Sequence, residues 1–171
     1  MRKLNHASAC VAGAFLFLLG SSVFSQELTK YHPKTPAAEI SQISVSNGTS
    51  SQSFTVSDIE RLPMVEFIGR TSTDESDMLF QGVLLRDFVD LIGAEDANQI
   101  TVRASDGHAA SLPREDWQRW PIVLVTRAKG KSLTIRQRGP ARIVYPSKRY
   151  PDLTKQIYDD RSVWLIRNIE W

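Results

Sequence analysis

The run Ile122-Val123-Leu124-Val125 restricts the fold most, because it is apolar at every position. A strand that faces water on one side alternates apolar and polar residues, whereas a strand without polar positions is covered on both faces. The run therefore predicts the central strand of a sheet that is buried on both sides. The rest of the chain must supply that cover.

Short strand-like runs and a few helical runs surround this strand. The clearest helix is predicted over residues 82–93, where leucine, valine, isoleucine and phenylalanine form a broad apolar face and Gly93 follows as a C-cap. Shorter helices are predicted over 58–62, with a Ser57/Glu60 capping box, and around Trp117. Further strands are predicted at 43–45, 53–56, 65–71, 100–104, 108–112, 133–135, 141–145 and 162–171. This pattern of many short strands and a few short helices predicts an α+β fold.

The two ends of the predicted domain differ in pattern. Residues 26–39 are polar and contain Pro33 and Pro36, and we expect an extended leader that packs little. The closing strand alternates, which would place Val163, Leu165, Arg167, Ile169 and Trp171 on one side of the sheet.

The first 25 residues have the composition of a secretory signal peptide. Arg2 and Lys3 precede an apolar run over residues 7–20, and we expect cleavage after Ser25. The apolar run is too short for a membrane span and no second one follows, so the processed chain should lack a transmembrane segment and be periplasmic or secreted. Residues 26–52 would then form the leader and first strand, and residues 53–171 a single domain.

Charge and cysteine content exclude several functions. Cleavage would remove two of the 21 basic residues, which leaves 19 basic against 19 acidic residues and gives no net positive charge for nucleic acid. Cys10 is the single cysteine and lies in the predicted signal, so the processed chain has no disulfide, thiolate nucleophile or cysteine-ligated metal. His32 and His108 are far apart and lack a carboxylate at helical metal-ligand spacing, which predicts no transition-metal site.

Arg142 is the one cation in the strand-like stretch Gly139-Pro140-Ala141-Arg142-Ile143-Val144-Tyr145-Pro146. Such an arginine is either a cation on the exposed side of an edge strand or the fixed fork of an anion site. Nearby basic residues would give the same face a positive field: Arg136, Arg138, Lys148 and Arg149. The residues alone support both interpretations equally.

Three further features have a functional and a structural interpretation. His108 would serve as an anion ligand or general base, although a single turn histidine is more often a surface residue. Asp106 would first cap its own turn, with a ligand role second. Residues 71–77 form an acidic loop that includes Asp74. Its spacing matches no calcium-binding loop, so we expect a solvated face.

Several segments follow one another in a recognisable order: Phe54–Val56 leading to Leu62-Pro63, Phe80–Leu85 leading into a helix, Ser105–Gly107 before Ser111–Pro113, Gly139–Pro146, and Trp164-Leu165 with Ile169-Glu170. This order resembles the molybdopterin-binding domain of the sulfite oxidase family. The resemblance covers about Ser53 to Trp171. It implies the same α+β fold with mixed β-sheets, and a cofactor cleft around Arg142, Asp106, His108 and Trp164.

The resemblance also marks a departure at the metal. In that family a pterin dithiolene and one protein cysteine hold the molybdenum, and the matching residues 67–73 contain no cysteine. Gln137 stands where the family commonly has a histidine, and Val163 stands where it has a lysine. Both substitutions would remove contacts to the cofactor's anionic phosphate.

We therefore expect a non-catalytic module without metal ligands. It would bind a small anionic ligand or a protein partner in the former cofactor cleft, and a sensory role is one form of this hypothesis. The identity of any cofactor, molybdopterin included, stays open. The alternative is an active molybdenum-cofactor oxidoreductase of the same family, with Ser72 or Thr73 as an oxygen ligand or with an open coordination position. A third alternative is a purely structural interaction domain.

Overall fold

The structure is a computed structural model that describes residues 27–37, 42–72 and 74–171. The predicted signal peptide and Thr73 lie outside these residues. No helix in the described part of the chain is long and apolar enough to cross a membrane.

The described residues form eleven strands, four short α-helices and two 3-10 helices. The strands are β1 (Thr29–Tyr31), β2 (Gln42–Ser46), β3 (Ser51–Thr55), β4 (Met64–Gly69), β5 (Met78–Leu84), β6 (Gln99–Ala104), β7 (Ala109–Pro113), β8 (Val123–Ala128), β9 (Lys131–Ser132), β10 (Arg142–Val144) and β11 (Ile166–Glu170). The α-helices are α1 (Val56–Ile59), α2 (Leu85–Leu91), α3 (Arg114–Arg119) and α4 (Gln156–Asp160), and the 3-10 helices are Ile135–Gln137 and Pro151–Thr154.

The strands form two sheets, of which the first is antiparallel and the second is mixed. The first sheet has the order β1-β4-β5-β8-β10, with β9 also paired to β8, and the second has the order β3-β2-β11-β6-β7. Within the second sheet, β11 runs parallel to β2 and antiparallel to β6. The α+β prediction with mixed sheets and few helices is confirmed.

The strand β8 is buried along its whole length, as the apolar run predicted. Leu124 belongs to the main core, which also contains residues of the second sheet and of α2, whereas Val123 and Val125 belong to a smaller cluster on the opposite face. Neighbouring residues of a strand point to opposite faces, so an apolar residue is needed at each position.

The clearest predicted helix is shorter than its sequence pattern. The strand β5 continues to Leu84, and α2 begins at Leu85. Gly82 pairs with Val125 of β8, and a Cβ at Gly82 would lie 2.2 Å from the backbone oxygen of Leu124. Residues 82–84 are therefore part of a strand because they pair with β8. The local hydrophobic pattern could not predict this, since the pairing joins segments that are distant in sequence.

Two predicted strands also differ from the structure. Leu133 is buried, but the chain then enters the 3-10 helix at Ile135–Gln137 instead of a strand. In the closing segment Leu165 has a φ of +53°, and the pairing register shifts between Ile166 and Asn168. Consequently Ile166 and Ile169 are both buried while Arg167 is exposed, and the predicted single side for the odd-numbered residues is wrong.

The leader packs more than predicted. Its strand β1 pairs with β4, and Thr35 accepts a hydrogen bond from the buried side chain of Arg127. The strand β2 pairs with both β3 and β11, so the boundary predicted before Ser53 falls inside a hairpin.

The helix α1 begins two residues earlier than predicted. Its capping box consists of Thr55 and Asp58 instead of Ser57 and Glu60. Glu60 follows the helix and forms a buried ion pair with Arg127, at 2.8 Å between Oε2 and Nη2.

Candidate functional site

Arg142 begins β10 and lies opposite Val125 of β8. All three residues of β10 are buried, and the Arg142 side chain is 2% exposed. Its guanidinium carbon lies 5.0 Å from the centre of the Phe80 ring. The interpretation of Arg142 as a cation on the exposed side of an edge strand is therefore wrong.

The carboxylate of Asp74 accepts hydrogen bonds from two guanidinium groups. Arg142 donates from Nη1 to Oδ1 at 3.1 Å and from Nη2 to Oδ2 at 2.9 Å. Arg138 donates from Nη1 to Oδ1 at 3.0 Å. Bidentate pairing between a guanidinium and a carboxylate fixes both position and orientation. Because the Asp74 side chain is 6% exposed, the prediction of a solvated acidic face is wrong at this residue.

Thr71 completes this group. Its backbone N–H and its hydroxyl donate to Oδ2 of Asp74 at 2.9 and 2.8 Å, and its hydroxyl accepts a bond of 2.7 Å from Nη2 of Arg142. The backbone N–H of Asp74 in turn donates to the Thr71 carbonyl at 3.0 Å. We call Thr71, Asp74, Arg138 and Arg142 the arginine site.

The electrostatics of the arginine site favour the ionised carboxylate. Burial by itself raises the pKa of Asp74, but the hydrogen bonds from Arg142 and Thr71 and the charge of Arg142 outweigh burial, and the pKa lies below its ordinary value. Burial also lowers the pKa of Arg142, which still carries its charge at neutral pH. The site is therefore a buried, charged and hydrogen-bonded group.

Local backbone geometry aims Arg138 at this carboxylate. A Thr134/Gln137 capping box begins the 3-10 helix, and Arg138 ends it in the left-handed region with a φ of +66°. A side chain in this region costs about 1 kcal/mol or more. In this conformation Arg138 forms its ion pair with Asp74. A cis peptide bond joins Gly139 to Pro140 before β10 begins.

Two of the predicted site residues, His108 and Trp164, stack on each other. Their rings are 6.4 Å apart between centroids with an interplanar angle of 20°. The guanidinium carbon of Arg138 lies 5.3 Å from the centre of the Trp164 ring. A continuous series of contacts therefore connects His108 to the arginine site through Trp164 and Arg138.

Asp106 lies apart from the arginine site. Its Oδ1 accepts a 3.0 Å hydrogen bond from the backbone N–H of His108, and both residues are exposed. This bond is the turn cap that the sequence suggested.

A cleft of about 460 Å³ has Thr71 in its lining. Arg70, Thr71 and Ser72 form one of its walls, and the chain from Tyr145 to Ser162 supplies the remainder. We call it the hydroxyl cleft, because most of its lining side chains carry hydroxyl groups: Thr71, Ser72, Tyr145, Ser147, Thr154, Tyr158 and Ser162. Arg142, Asp106, His108 and Trp164 do not line it.

A second cavity of about 330 Å³ adjoins the arginine site. Its lining includes Asp74, Arg136, Arg138 and Arg142. On this side the Arg138 side chain is 29% exposed, whereas that of Arg142 is 2% exposed.

The two sheets, the short helices and the strand β10 with Arg142 define a sulfite oxidase-like molybdopterin fold. The structure of the sulfane dehydrogenase SoxCD from Paracoccus pantotrophus superposes with a TM-score of 0.59 at 16% identity, covering 78% of this chain and 39% of that chain. Residues 32–158 match the family described as the oxidoreductase molybdopterin binding domain, and this chain belongs to that family. The resemblance proposed from the motifs is thereby confirmed.

The chain spans well under half the length of the sulfane dehydrogenase chain. At this low identity the superposition establishes the fold alone. No curated protein matches the sequence.

The residues present do not fit the family's molybdenum centre. The matching loop has no cysteine, and the Thr71 hydroxyl is already bonded to Asp74 and Arg142. Gln137, at the family's histidine position, accepts the hydrogen bonds that cap the 3-10 helix. Val163, at the lysine position, is fully buried in the main core. Ser72 lines the hydroxyl cleft, while Thr73 lies outside the described residues.

Thr71 and Asp74 are the residues of the arginine site that sequence reasoning missed. Their loop was recognised as acidic, but the pairing of Asp74 with Arg142 spans 68 positions. The available indication was a carboxylate directly after residues 67–73, which lack the family's cysteine, together with the retained arginine. Either feature alone is unspecific.

Proposed function

We propose that this chain is an exported, non-catalytic binding module of the molybdopterin-binding family that takes a small anionic molecule in the hydroxyl cleft. The observation that carries the proposal is the use of the cysteine-free loop. Thr71 of this loop and Asp74, which directly follows it, are both hydrogen-bonded to Arg142. The neighbouring cleft has a size suited to a small ligand and a lining rich in hydroxyl side chains.

The charges at the cleft favour an acidic ligand with hydroxyl or carbonyl groups. Arg70 is exposed and forms no ion pair with another described residue. Lys148 pairs with Asp77, and Asp159 provides one carboxylate on the opposite wall. A guanidinium binds carboxylate, sulfonate or phosphate groups through two parallel N–H bonds. Arg70 is therefore the expected anion contact.

Tyr145 of the cleft lining belongs to a hydrogen-bonded group with Asp116 and Arg161. Burial first, and then the Asp116 charge, raise the pKa of Tyr145, so its hydroxyl stays protonated at neutral pH. That hydroxyl donates to Asp116 at 2.8 Å, and Arg161 donates to the same oxygen at 2.9 Å. Among the described residues no three His, Cys, Asp or Glu side chains are grouped to hold a metal ion.

Metal analysis and an absorption spectrum of protein purified from its native, cofactor-producing host test the non-catalytic part. We expect no stoichiometric molybdenum and no pterin-dithiolene absorption. Stoichiometric molybdenum would overturn the proposal in favour of a molybdenum-cofactor oxidoreductase.

Ligand binding is tested by thermal unfolding with small carboxylates, sulfonates and phosphate esters. A compound that raises the Tm of the unsubstituted protein should act weakly on Arg70→Gln and normally on Arg86→Gln, a matched control on α2. Equal responses in both variants would remove the hydroxyl cleft from consideration. If no compound acts and both variants behave like the parent chain, the purely structural alternative is favoured.

Export is tested independently by mass spectrometry of the protein from the periplasm or culture medium. The sequence predicts an amino terminus at Gln26. Retention of residues 1–25 on the purified protein would contradict the predicted cleavage.

A further inference from the structure

The two guanidinium groups of the arginine site share one carboxylate. Three guanidinium N–H groups contact Asp74 at 2.9 to 3.1 Å, and this is the one acidic side chain with which Arg142 forms an ion pair in the described part of the chain. Two cations held this close repel each other unless an anion lies between them. The carboxylate therefore supplies the charge that makes the arrangement stable.

Aromatic rings hold both arginines independently of Asp74. The Arg142 guanidinium lies over Phe80 and the Arg138 guanidinium over Trp164. Contacts between a guanidinium and an aromatic face are favourable by themselves and fix the plane of the guanidinium group. We expect the two forks to keep their positions when the carboxylate is removed.

We propose that Asp74 is an internal counter-anion that fills an oxyanion site formed by Arg138 and Arg142. The unsubstituted chain thus satisfies its own arginines and folds without an inorganic oxyanion. A chain that lacks this carboxylate takes phosphate or sulfate from solution in its place. The inference does not depend on which ligand occupies the hydroxyl cleft.

The surroundings of the site support entry of an ion. The adjoining cavity of about 330 Å³ is lined by Asp74 and both arginines, and Arg136 adds a further cation at its wall. The Arg138 side chain is 29% exposed, so the site borders solvent on that side. Phosphate and sulfate have the size and oxygen geometry to accept from two guanidinium forks at once.

The test uses Asp74→Ala and follows thermal unfolding in chloride, sulfate and phosphate at equal ionic strength. Sulfate and phosphate stabilise most folded proteins without binding, so the unsubstituted chain and Asp77→Ala provide the baseline. Asp77 lies in the same loop, but its carboxylate is half exposed and pairs with Lys148. We expect a saturable rise in Tm of roughly 5 °C above this baseline in Asp74→Ala, at millimolar phosphate or sulfate.

A second substitution locates the ion. Adding Arg142→Gln to Asp74→Ala should abolish the saturable part of the response. If it persists, the ion binds elsewhere and the proposal is overturned. A response in Asp74→Ala equal to that of the unsubstituted chain would overturn it as well, because Asp74 would then not be filling the site.

Poor folding of Asp74→Ala is itself informative. If the variant is insoluble in chloride, the proposal predicts that refolding in sulfate or phosphate yields soluble protein. The double variant Asp74→Ala/Arg142→Gln should stay insoluble in these salts. Failure of Asp74→Ala in all three salts would contradict the proposal. Metal content of the unsubstituted protein decides the proposed function separately, so the two ideas can fail independently.

Discussion

Asp74 and Arg142 form a buried ion pair, and the consequence of a substitution depends on which partner is left behind. Removing one member of such a pair leaves an unpaired buried charge, which typically costs about 3–5 kcal/mol. Asp74 keeps Arg138 and Thr71 when Arg142 is lost, while Arg142 keeps the Phe80 ring and the Thr71 hydroxyl when Asp74 is lost. Substitution of either residue should therefore change the stability of the protein and the dependence of that stability on pH.

Arg142→Gln should lower the free energy of unfolding by about 1.5–3 kcal/mol, because the buried Asp74 carboxylate loses the hydrogen bonds of one guanidinium but keeps those of Arg138 and Thr71. Urea unfolding at neutral pH measures the change. Arg86→Gln, an exposed arginine on α2, is the control and should change stability by about 0.5 kcal/mol or less. Equal effects of the two substitutions would mean that Arg142 contributes no more than a surface charge.

The pair should also give the protein a specific acid sensitivity. Since the pKa of Asp74 is lower in the folded than in the unfolded chain, its contribution is complete above the unfolded pKa and is lost as the pH falls through the folded pKa. We expect the free energy of unfolding to fall below about pH 4 in the parent chain, and to fall less steeply in Asp74→Asn. Urea titrations between pH 3 and 7 compare the slopes, and parallel curves would contradict the assignment.

At the scale of elements, the turn before β10 fixes where Arg142 enters the core. A Cβ on Gly139 would lie 2.5 Å from the backbone oxygen of Leu133, closer than any allowed contact. Backbone cannot move aside as a flexible side-chain end can. The glycine is therefore required by the close approach of two chain segments.

Gly139→Ala should lower the urea midpoint through a loss of about 1–3 kcal/mol, because it forces the turn away from Leu133. Gly48→Ala is the comparison, since a Cβ there meets no atom within 4 Å and the remaining cost is that of the positive φ, about 1–2 kcal/mol. The two substitutions differ further in the response to acid. Movement of β10 in Gly139→Ala should weaken the Asp74 pair and its pH dependence, whereas Gly48→Ala should leave that dependence unchanged.

For the whole molecule, a second buried ion pair joins parts of the chain that are distant in sequence. Glu60 at the end of α1 accepts from the Thr126 hydroxyl and from Nε and Nη2 of Arg127. Arg127 also donates to the side chain and the carbonyl of Thr35 in the leader. This network connects the leader, α1 and the first sheet around one guanidinium.

Glu60→Gln should lower the free energy of unfolding by about 3–5 kcal/mol, because the Arg127 side chain is fully buried and loses its counter-charge. Thr35→Ala removes one hydroxyl acceptor but leaves the carbonyl, and should cost about 1 kcal/mol. Urea unfolding measures both changes, and limited proteolysis reports whether the leader is released. An equal loss in the two variants would show that the leader, and not the charge, determines the effect.

The sequence by itself determined the fold class, the buried central strand and the family. These follow from local patterns: apolar residues at each position of β8, the glycine-proline turn before β10, and the order of short motifs. The same local patterns predicted a start of α2 that is too early, and they did not predict the register shift in β11. Those features depend on pairing between distant strands, which periodicity along one segment does not contain.

Only the tertiary structure decided what Arg142 does. The sequence left this residue between an exposed cation and an anion contact, and it assigned the acidic loop to solvent. Folding brings Asp74 within hydrogen-bonding distance of Arg142 and Arg138, and the carboxylate becomes the anion that both arginines bind. A charge in a low-dielectric interior is stable only beside its partner, and that partner is set by the path of the chain through the first sheet, where the loop between β4 and β5 meets β10.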